Sequence, residues 1–270
     1  NQYNPRAIIN FAAETHVDKS INNAENFIKT NIFGVFTLLE VARDYWFNLA
    51  KEKKENFRFI HISTDEVYGE LSPGEKPFDE KHPYCPNNPY SASKASSDHL
   101  VRSWNKTYGL PTLISNCSNN YGPYQYPEKL IPMSISNALK NKNIPIYGDG
   151  LQIRDWLYVK DHCAAIKTIL DKGKPGETYN IGGSNEKSNI EVVNLLCKIL
   201  DEKKPLDRDK SYKNLITHIK DRPGHDKRYS INASKIYNDL GWEAHENFEK
   251  GLYKTVVWYL ENLNWLKIKE

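Results

Sequence analysis

A chain of 270 residues is long enough to bury a substantial core without disulfides or metal, as one large α/β domain or as a nucleotide-binding domain with a smaller lobe. Its 37 Lys and Arg against 34 Asp and Glu leave a formal charge of +3, and the basic residues are scattered, which argues against a nucleic-acid binder. Cys85, Cys117, Cys163 and Cys197 form no paired metal-ligand motif, no run approaches the roughly 18 apolar residues of a membrane span, and the start has no secretory pattern; free thiols, no metal, no membrane and a cytoplasmic location are expected.

The chain opens on Asn1 instead of Met, and an apolar run at residues 7–13 predicts a buried parallel strand, so a preceding segment is expected. Phe27, Asn31, Val35, Leu38, Leu39 and Ala42 recur at near-helical spacing and predict a helix over residues 24–46. After a charged, broken stretch at 51–56, the β-branched run 57–63 predicts a second strand. A turn-rich loop at 69–89 holds Gly74 and five prolines. Pro89 suits the first turn of the helix predicted at 90–108, which Gly109 stops, and residues 110–117 predict another strand. This βαβα alternation predicts an α/β, Rossmann-like doubly wound parallel sheet, with active-site residues just past the C-terminal strand ends.

Beyond Tyr121 the rhythm changes. A Pro- and Tyr-rich loop at 122–127 precedes a helix at 130–141, a strand at 144–147, the turn Gly148-Asp149-Gly150 and the segment 154–159. A helix at 160–170, a strand at 177–181, a helix at 190–200, a charged linker, a strand at 216–220, a loop at 222–228 and helices at 233–240 and 248–262 complete the pattern. Residues 1–120 are expected to form the nucleotide-binding domain and 121–270 mainly a smaller C-terminal substrate-binding lobe, with about 155–182 partly returning to the sheet.

Two clusters carry chemistry. Tyr90 and Lys94, four apart at a helix start, share a face, and an ammonium beside a phenol favours the phenolate and makes proton abstraction from an alcohol possible. Such a pair is common by chance and needs its context, Tyr90-Ser91-Ala92-Ser93-Lys94-Ala95. Asp65 and Glu66 stand side by side where the second strand runs out. By themselves they read as a solvated loop pair. Beside a transient ketone they supply an elimination with one group to remove an acidified proton and one to protonate the leaving oxygen, and their mutual repulsion helps keep one protonated.

Further stretches join these: Ala12-Ala13-Glu14-Thr15-His16-Val17-Asp18-Lys19-Ser20, Thr64-Asp65-Glu66-Val67-Tyr68-Gly69, Asn116-Cys117-Ser118-Asn119-Asn120-Tyr121-Gly122-Pro123, Pro127-Glu128-Lys129-Leu130-Ile131-Pro132, Arg154-Asp155-Trp156-Leu157-Tyr158-Val159, Tyr179-Asn180-Ile181-Gly182-Gly183 and Asp221-Arg222-Pro223-Gly224-His225-Asp226. On these the chain resembles the dTDP-glucose 4,6-dehydratase family of extended short-chain dehydrogenases over essentially its whole length. The Asp65-Glu66 pair together with Arg222-Pro223-Gly224-His225-Asp226 narrows the likeness to dehydratases.

The resemblance implies an NAD-dependent hydro-lyase of rhamnose biosynthesis that converts dTDP-glucose to dTDP-4-dehydro-6-deoxyglucose. In it Tyr90, with Lys94 lowering its pKa and holding the nicotinamide ribose, takes the C4 hydroxyl proton while hydride passes to NAD. Glu66 takes the C5 proton as Asp65 protonates the departing C6 hydroxyl, hydride returns to C6, and Thr64 hydrogen-bonds the C4 oxygen. Ala12, Ala13, Thr15, Asn31, Ser63, Tyr90, Lys94, Cys117 and Asn119 would approach NAD. The substrate would meet His16, Ser20, Thr64, Asp65, Glu66, Tyr90, Asn119, Lys129, Leu130, Pro145, Tyr147, Arg154, Asn189, Arg222 and His225. Arg154 and Arg222 suit a diphosphate because guanidinium offers phosphate a rigid fork of donors, and Tyr147 suits stacking on thymine. Each of these alone also reads as an ordinary lobe residue, and Asn31 and Cys117 equally as packing. A homodimer is implied, with the helices holding 23–45 and 90–108 meeting their copies; Leu100, Val101 and Trp104 serve that contact or face their own sheet.

The Gly-x-x-Gly-x-x-Gly fingerprint does not occur before Ile8, and Gly182-Gly183 lacks its spacing; since family members carry roughly 70 residues ahead of this strand, a fragment without that fingerprint is expected, of doubtful activity alone. A sugar-nucleotide epimerase or decarboxylase would share Tyr90 and Lys94 without the Asp65-Glu66 pair. A silent nucleotide-sugar binder or a structural relative would not need the full acid–base set.

Overall fold

The computed structural model describes residues 3–207 and 210–267, the last without its side chain. In chain order, strand β1 (Ala7–Asn10) leads to helix α1 (Val17–Asn22) and then to a helical run over 24–47, π-helical at Ile28–Phe33, whose last part is α2 (Gly34–Phe47). β2 (Arg58–Thr64) ends in the 3-10 turn Asp65–Tyr68 and is followed by α3 (Pro89–Tyr108), β3 (Thr112–Cys117), β4 (Asn119–Tyr121), α4 (Leu130–Leu139), β5 (Ile144–Tyr147) and β6 (Ile153–Tyr158). Then come α5 (Val159–Lys172), β7 (Thr178–Ile181), β8 (Glu186–Ser188), α6 (Asn189–Lys203), β9 (Ile216–Ile219), α7 (Ser234–Leu240) and α8 (Phe248–Glu261).

The main sheet has the order β1-β2-β3-β7, all parallel, with Ile60 opposite both Ile9 and Leu113. Every residue of β3 is buried, as a central parallel strand covered on both faces requires. One face is covered by Val35, Leu39 and Ala42 of α2 and Val101 of α3, packed on Phe57, Phe59 and Ile114. The other is covered by Ala165 and Ile169 of α5 and Ile236 and Leu240 of α7, packed on Ile60, Leu113 and Tyr179. This is a Rossmann-like, doubly wound α/β arrangement. Strand β7 belongs to it although it lies far down the chain, because the α5 crossover returns the chain to the sheet. A second core forms the smaller lobe, where α4, α6 and α8 pack on β5 and β6 through Ile135, Ile146, Trp156, Leu196, Leu252 and Val256. Beside it stand the sheets β4-β6-β8 and β5-β9.

Local chemistry fixes the ends that matter. Asn88 and Ser91 form a reciprocal capping box at the start of α3 with Pro89 inside the first turn, and Gly109 ends the helix in the left-handed conformation, φ +73°. The structure departs from expectation mainly at short elements. β1 stops at Asn10, short of residue 13, and the charged stretch Lys51–Asn56 is a helix. α1, β4 and β8 have six residues or fewer, too few to show a period in sequence. The charged linker expected after residue 200 includes Arg208 and Asp209, which lie outside the described residues. Among the described residues no helix is long and apolar enough to cross a membrane, and no cluster of three or more His, Cys, Asp or Glu is placed to hold a metal.

Candidate active site

The acid–base residues stand at the C-terminal edge of the sheet because β2 ends in a tight turn there. Thr64 is extended and its hydroxyl accepts the Glu66 N–H at 3.3 Å, which starts the 3-10 turn. The turn closes at Gly69, φ +89°, where a Cβ would collide with the Cys85 carbonyl, so the glycine of this motif is sterically required. Asp65 is 1% exposed; one of its oxygens accepts from Thr64 Oγ1 at 3.3 Å and the other has no partner, and Glu66 Oε2 is also buried and unpartnered. Burial pushes the Asp65 carboxyl well above the usual range, and the neighbouring charges of Glu66 and Asp155 add to the rise. Burial raises Glu66 as well, but Arg154, Arg222 and Lys129 pull against it. Both carboxyls are thereby pushed up, Asp65 the more strongly and Glu66 against the pull of three cations, an inequality of the kind that an acid and a base need.

Tyr90, in the first turn of α3, is hydrogen-bonded to Thr64; burial above all, then Glu66 and Cys117, raises its phenol well above the ordinary value. Lys94 lies one turn on and is 3% exposed. Its ammonium donates to the Ile62 carbonyl at 2.7 Å and lies 3.2 Å from His61 Nε2. The ammonium is anchored on β2, one turn from the phenol, and Glu66, Cys117 and Asp65 act with burial to raise the phenol while its hydrogen bond to Thr64 opposes them. Burial pulls Lys94 down, opposed by Asp98, whose carboxylate accepts from Ser63 Oγ at 2.8 Å and Tyr84 at 2.9 Å. Nothing in the sequence singled out His61 or Asp98, since a polar group beneath a helix is revealed only by packing.

In front of Glu66 lies a cleft of ≈ 280 Å³ between the loop after β1 and the smaller lobe. His16, Glu66, Asn119, Lys129, Leu130, Pro145, Tyr147, Arg154, Asn189, Arg222 and His225 line it, as does Thr15, expected beside the cofactor. Thr64, Asp65 and Tyr90 are not in its lining; they lie behind Glu66, whose charge acts on both Asp65 and Tyr90. Ser20 does not reach the cleft: it is fully buried and its hydroxyl is bound to the Val17 carbonyl at 2.6 Å, closing a turn of α1. Arg154 is committed within the protein, one terminal nitrogen on the Ile153 carbonyl (2.8 Å), the other on the Asp226 carbonyl (2.9 Å), with its plane over the Tyr229 ring at 4.3 Å. It lines the cleft as a fixed cation facing Glu66, and the open guanidinium is that of Arg222, whose Nε is buried without a partner.

The residues expected near a cofactor are arranged around the ends of β1, β2 and β3. The Ala12 N–H is bound to Asn10 Oδ1 at 3.2 Å, with Ala13 next to it in the loop. Asn31 clamps this loop, accepting from the Glu14 N–H at 2.9 Å and donating to Ser93 Oγ at 2.9 Å. Ser63 is taken by Asp98. Cys117 donates to the Ser63 carbonyl at 3.4 Å, and burial pushes its thiol up to about 12, which removes it as a nucleophile. Asn119 Oδ1 is buried and unpartnered, open to a ligand.

Asp18, Glu128 and Tyr229 also line the cleft and were not singled out in sequence. Two of them sit inside quoted motifs, beside His16 and Lys129, where adjacency was the only available signal. A larger, more open depression of ≈ 780 Å³ lined by Lys81, Arg102 and Lys235 contains none of the acid–base residues; in it Lys235 pairs with Glu177 at 2.7 Å and Arg102 donates to the Tyr84 hydroxyl at 2.7 Å.

A phenol, a buried lysine and an unequal carboxyl pair at the C-terminal edge of a doubly wound sheet, facing a cleft lined by Lys129, Arg154 and Arg222, define a sugar-nucleotide enzyme of the extended short-chain dehydrogenase class. Residues 1–255 match the family described as GDP-mannose 4,6 dehydratase. The dTDP-glucose 4,6-dehydratase of Escherichia coli is 59% identical over 274 residues, covering 98% of this chain and 75% of the relative, and that of Neisseria meningitidis serogroup B is 59% identical over 267 residues with the same coverage. Among solved structures, the dTDP-glucose 4,6-dehydratase of Streptomyces venezuelae with NAD bound superimposes with a TM-score of 0.86 at 43% identity, over 96% of this chain and 74% of that one. The chain belongs to the nucleotide-sugar 4,6-dehydratase family, alongside the dTDP-glucose 4,6-dehydratases.

Proposed function

We propose that the protein dehydrates dTDP-glucose to dTDP-4-dehydro-6-deoxyglucose with NAD as cofactor. The observation that carries this reading is the unequal pair: Asp65, buried and pushed well above the usual carboxyl range, next to Glu66, buried among three cations, with Tyr90 behind them. An epimerase has no need of such a pair. The nicotinamide end of NAD fits the residues present, since Tyr90, Lys94 and the unpartnered Asn119 Oδ1 surround the ends of β2 and β3, while the glycine fingerprint for its diphosphate is not among the described residues. When bound, NAD supplies the acceptor and donor of the hydride that the oxidation at C4 and the reduction at C6 require.

The chain's own residues handle protons and position. Tyr90 accepts the C4 hydroxyl proton as its phenolate, the form that the Lys94 ammonium one turn away favours, with Thr64 as the hydrogen-bond partner of the phenol oxygen. The C4 carbonyl acidifies the C5 hydrogen, which Glu66 removes; the cations around Glu66 keep it ionised for that task. Asp65, holding its proton by burial and by repulsion from Glu66, protonates the departing C6 oxygen as water. Arg222, His225, Lys129, Asn119 and Asn189 hold the nucleotide diphosphate and sugar, and Tyr147 faces the base.

The same reading makes the protein a homodimer acting in the cytoplasm. Phe33 (62% exposed), Phe36 (43%) and Val41 (61%) lie bare on the 24–47 helical run, next to Trp104 of α3, whose ring meets Phe36 edge-on at 5.9 Å. A surface of this kind fits a helical contact between copies. Val101 takes no part in it, being fully buried against its own sheet. The deciding experiment incubates the full-length protein and NAD with dTDP-glucose or UDP-glucose and identifies products by mass and NMR. A keto product lighter by one water, formed faster from the dTDP form, is expected; an isomer of unchanged mass refutes dehydration. Sedimentation of the same protein as a monomer refutes the dimer.

A further inference from the structure

Asp18 is the acidic residue in the first turn of α1, on the sheet side of the cleft, yet both its oxygens are engaged by the opposite lobe. Oδ1 accepts from Arg222 Nη1 at 3.2 Å, across 204 residues, and Oδ2 accepts from the Tyr147 hydroxyl at 2.8 Å, across 129 residues. Glu128, which also lines the cleft, is occupied by Lys19 at 2.7 Å, and Asp221, next to Arg222 in the chain, by His225 at 2.6 Å. A guanidinium is planar and rigid, so a carboxylate on Nη1 fixes the direction of its remaining donors. The Nε–H, which belongs to that remaining fork, is buried and has no partner. A buried unpaired donor costs free energy unless a ligand satisfies it, and a fork of two parallel N–H groups is complementary to phosphate oxygens.

We propose that Asp18 is a positioning residue for nucleotide recognition: it grips one edge of Arg222 so that the other edge is presented to the diphosphate, and it fixes the Tyr147 hydroxyl in the same step. The proposal rests on the reading of the cleft as a nucleotide-sugar site. It assigns Asp18 no contact with the reacting atoms. The charge of Asp18 does not repel the ligand strongly, because Arg222 neutralises it directly and Lys129 and Arg154 line the same cleft.

The test uses the full-length protein with NAD and compares wild type, Asp18→Asn and Arg222→Ala, alone and combined. Affinity is measured by calorimetry for dTDP and for thymidine, which has no phosphate, and KM and kcat are measured with dTDP-glucose. Asp18→Asn keeps the shape but removes the charge, and loss of an oriented, charge-assisted phosphate contact weakens dTDP about 5- to 30-fold. KM rises in parallel, kcat moves less than about 2-fold, thymidine affinity is unchanged, and Asp18→Asn has little further effect in the Arg222→Ala background. Unchanged or tighter dTDP binding in Asp18→Asn overturns the proposal, the tighter case meaning that Asp18 competes with the ligand. So does an equal loss for thymidine, a parallel fall in kcat, or full additivity with Arg222→Ala. Failure of the wild-type protein to bind dTDP at all instead overturns the reading of the cleft.

Discussion

Replacing Glu66 by Gln preserves the shape of the side chain and removes the base. A positioned general base contributes on the order of 10²–10⁴-fold, about 3–5 kcal/mol of barrier. The site allows little substitution for it, because Glu66 Oε2 is buried and the surrounding Arg154, Arg222 and Lys129 favour an anion that the amide cannot supply. Water elimination should therefore slow by about 10²–10⁴-fold. Oxidation at C4 should respond differently. Glu66 is the neighbouring charge that raises the Tyr90 phenol most after burial itself, so its removal lets that phenol fall. The oxidation step should persist, with its pH dependence moved to lower pH. Rapid mixing of the NAD-loaded full-length protein with dTDP-glucose, following nicotinamide absorbance and product mass together, resolves the two steps. Product formation at the wild-type rate, or loss of both steps in parallel with unchanged dTDP affinity, would refute the assignment of Glu66 as base.

Asp65→Asn should leave exchange of the C5 hydrogen with solvent deuterium in place while water loss slows by roughly 10²-fold or more, because the proton is still removed but the leaving oxygen is not protonated; NMR of the recovered sugar reads both. Burial pushes Asp98 up to about 6, from 3.8. A raised carboxyl pKa gives stability that is present below about pH 4 and lost as pH rises through 6, an effect of roughly 3 kcal/mol for two pK units. Asp98→Asn should remove that part of the pH dependence, and urea unfolding of both proteins between pH 4 and 7 giving the same slope would contradict it. Gly69→Ala should cost about 2–4 kcal/mol in the same assay and lower activity with it, since φ is +89° and the Cys85 carbonyl occupies the space of a Cβ.

The order of the main strands and helices in the nucleotide-binding half was legible because they are long enough to stand out: β2 and β3 as short runs rich in apolar and β-branched residues, α3 by its Pro89 start and Gly109 stop. The two chemical clusters were legible for a related reason. Asp65 with Glu66, and Tyr90 with Lys94, are neighbours along the chain, so sequence spacing already fixes how each pair is placed on its own turn. Most cleft residues came from the likeness to a family, and the structure gathers eleven of them around one opening. Ser20 went the other way, closing its own helix turn, and Val101 took the second of its two readings by packing on its own sheet, because a helix has several faces and spacing does not say which of them meets solvent.

Sequence alone determined the α/β class and the placing of Asp65 with Glu66 and of Tyr90 with Lys94 at element ends, since these depend on periodicity and on residues within one turn of each other, while the roles proposed for them came from the likeness to a family. Tertiary structure decided the rest. The anchoring of Lys94 on the Ile62 carbonyl, the commitment of Arg154 to backbone carbonyls and Tyr229, and the grip of Asp18 on Arg222 each join separate segments, the last across 204 residues. Such contacts depend on strand register and on how the lobe packs against the sheet, and no local pattern along the chain encodes them.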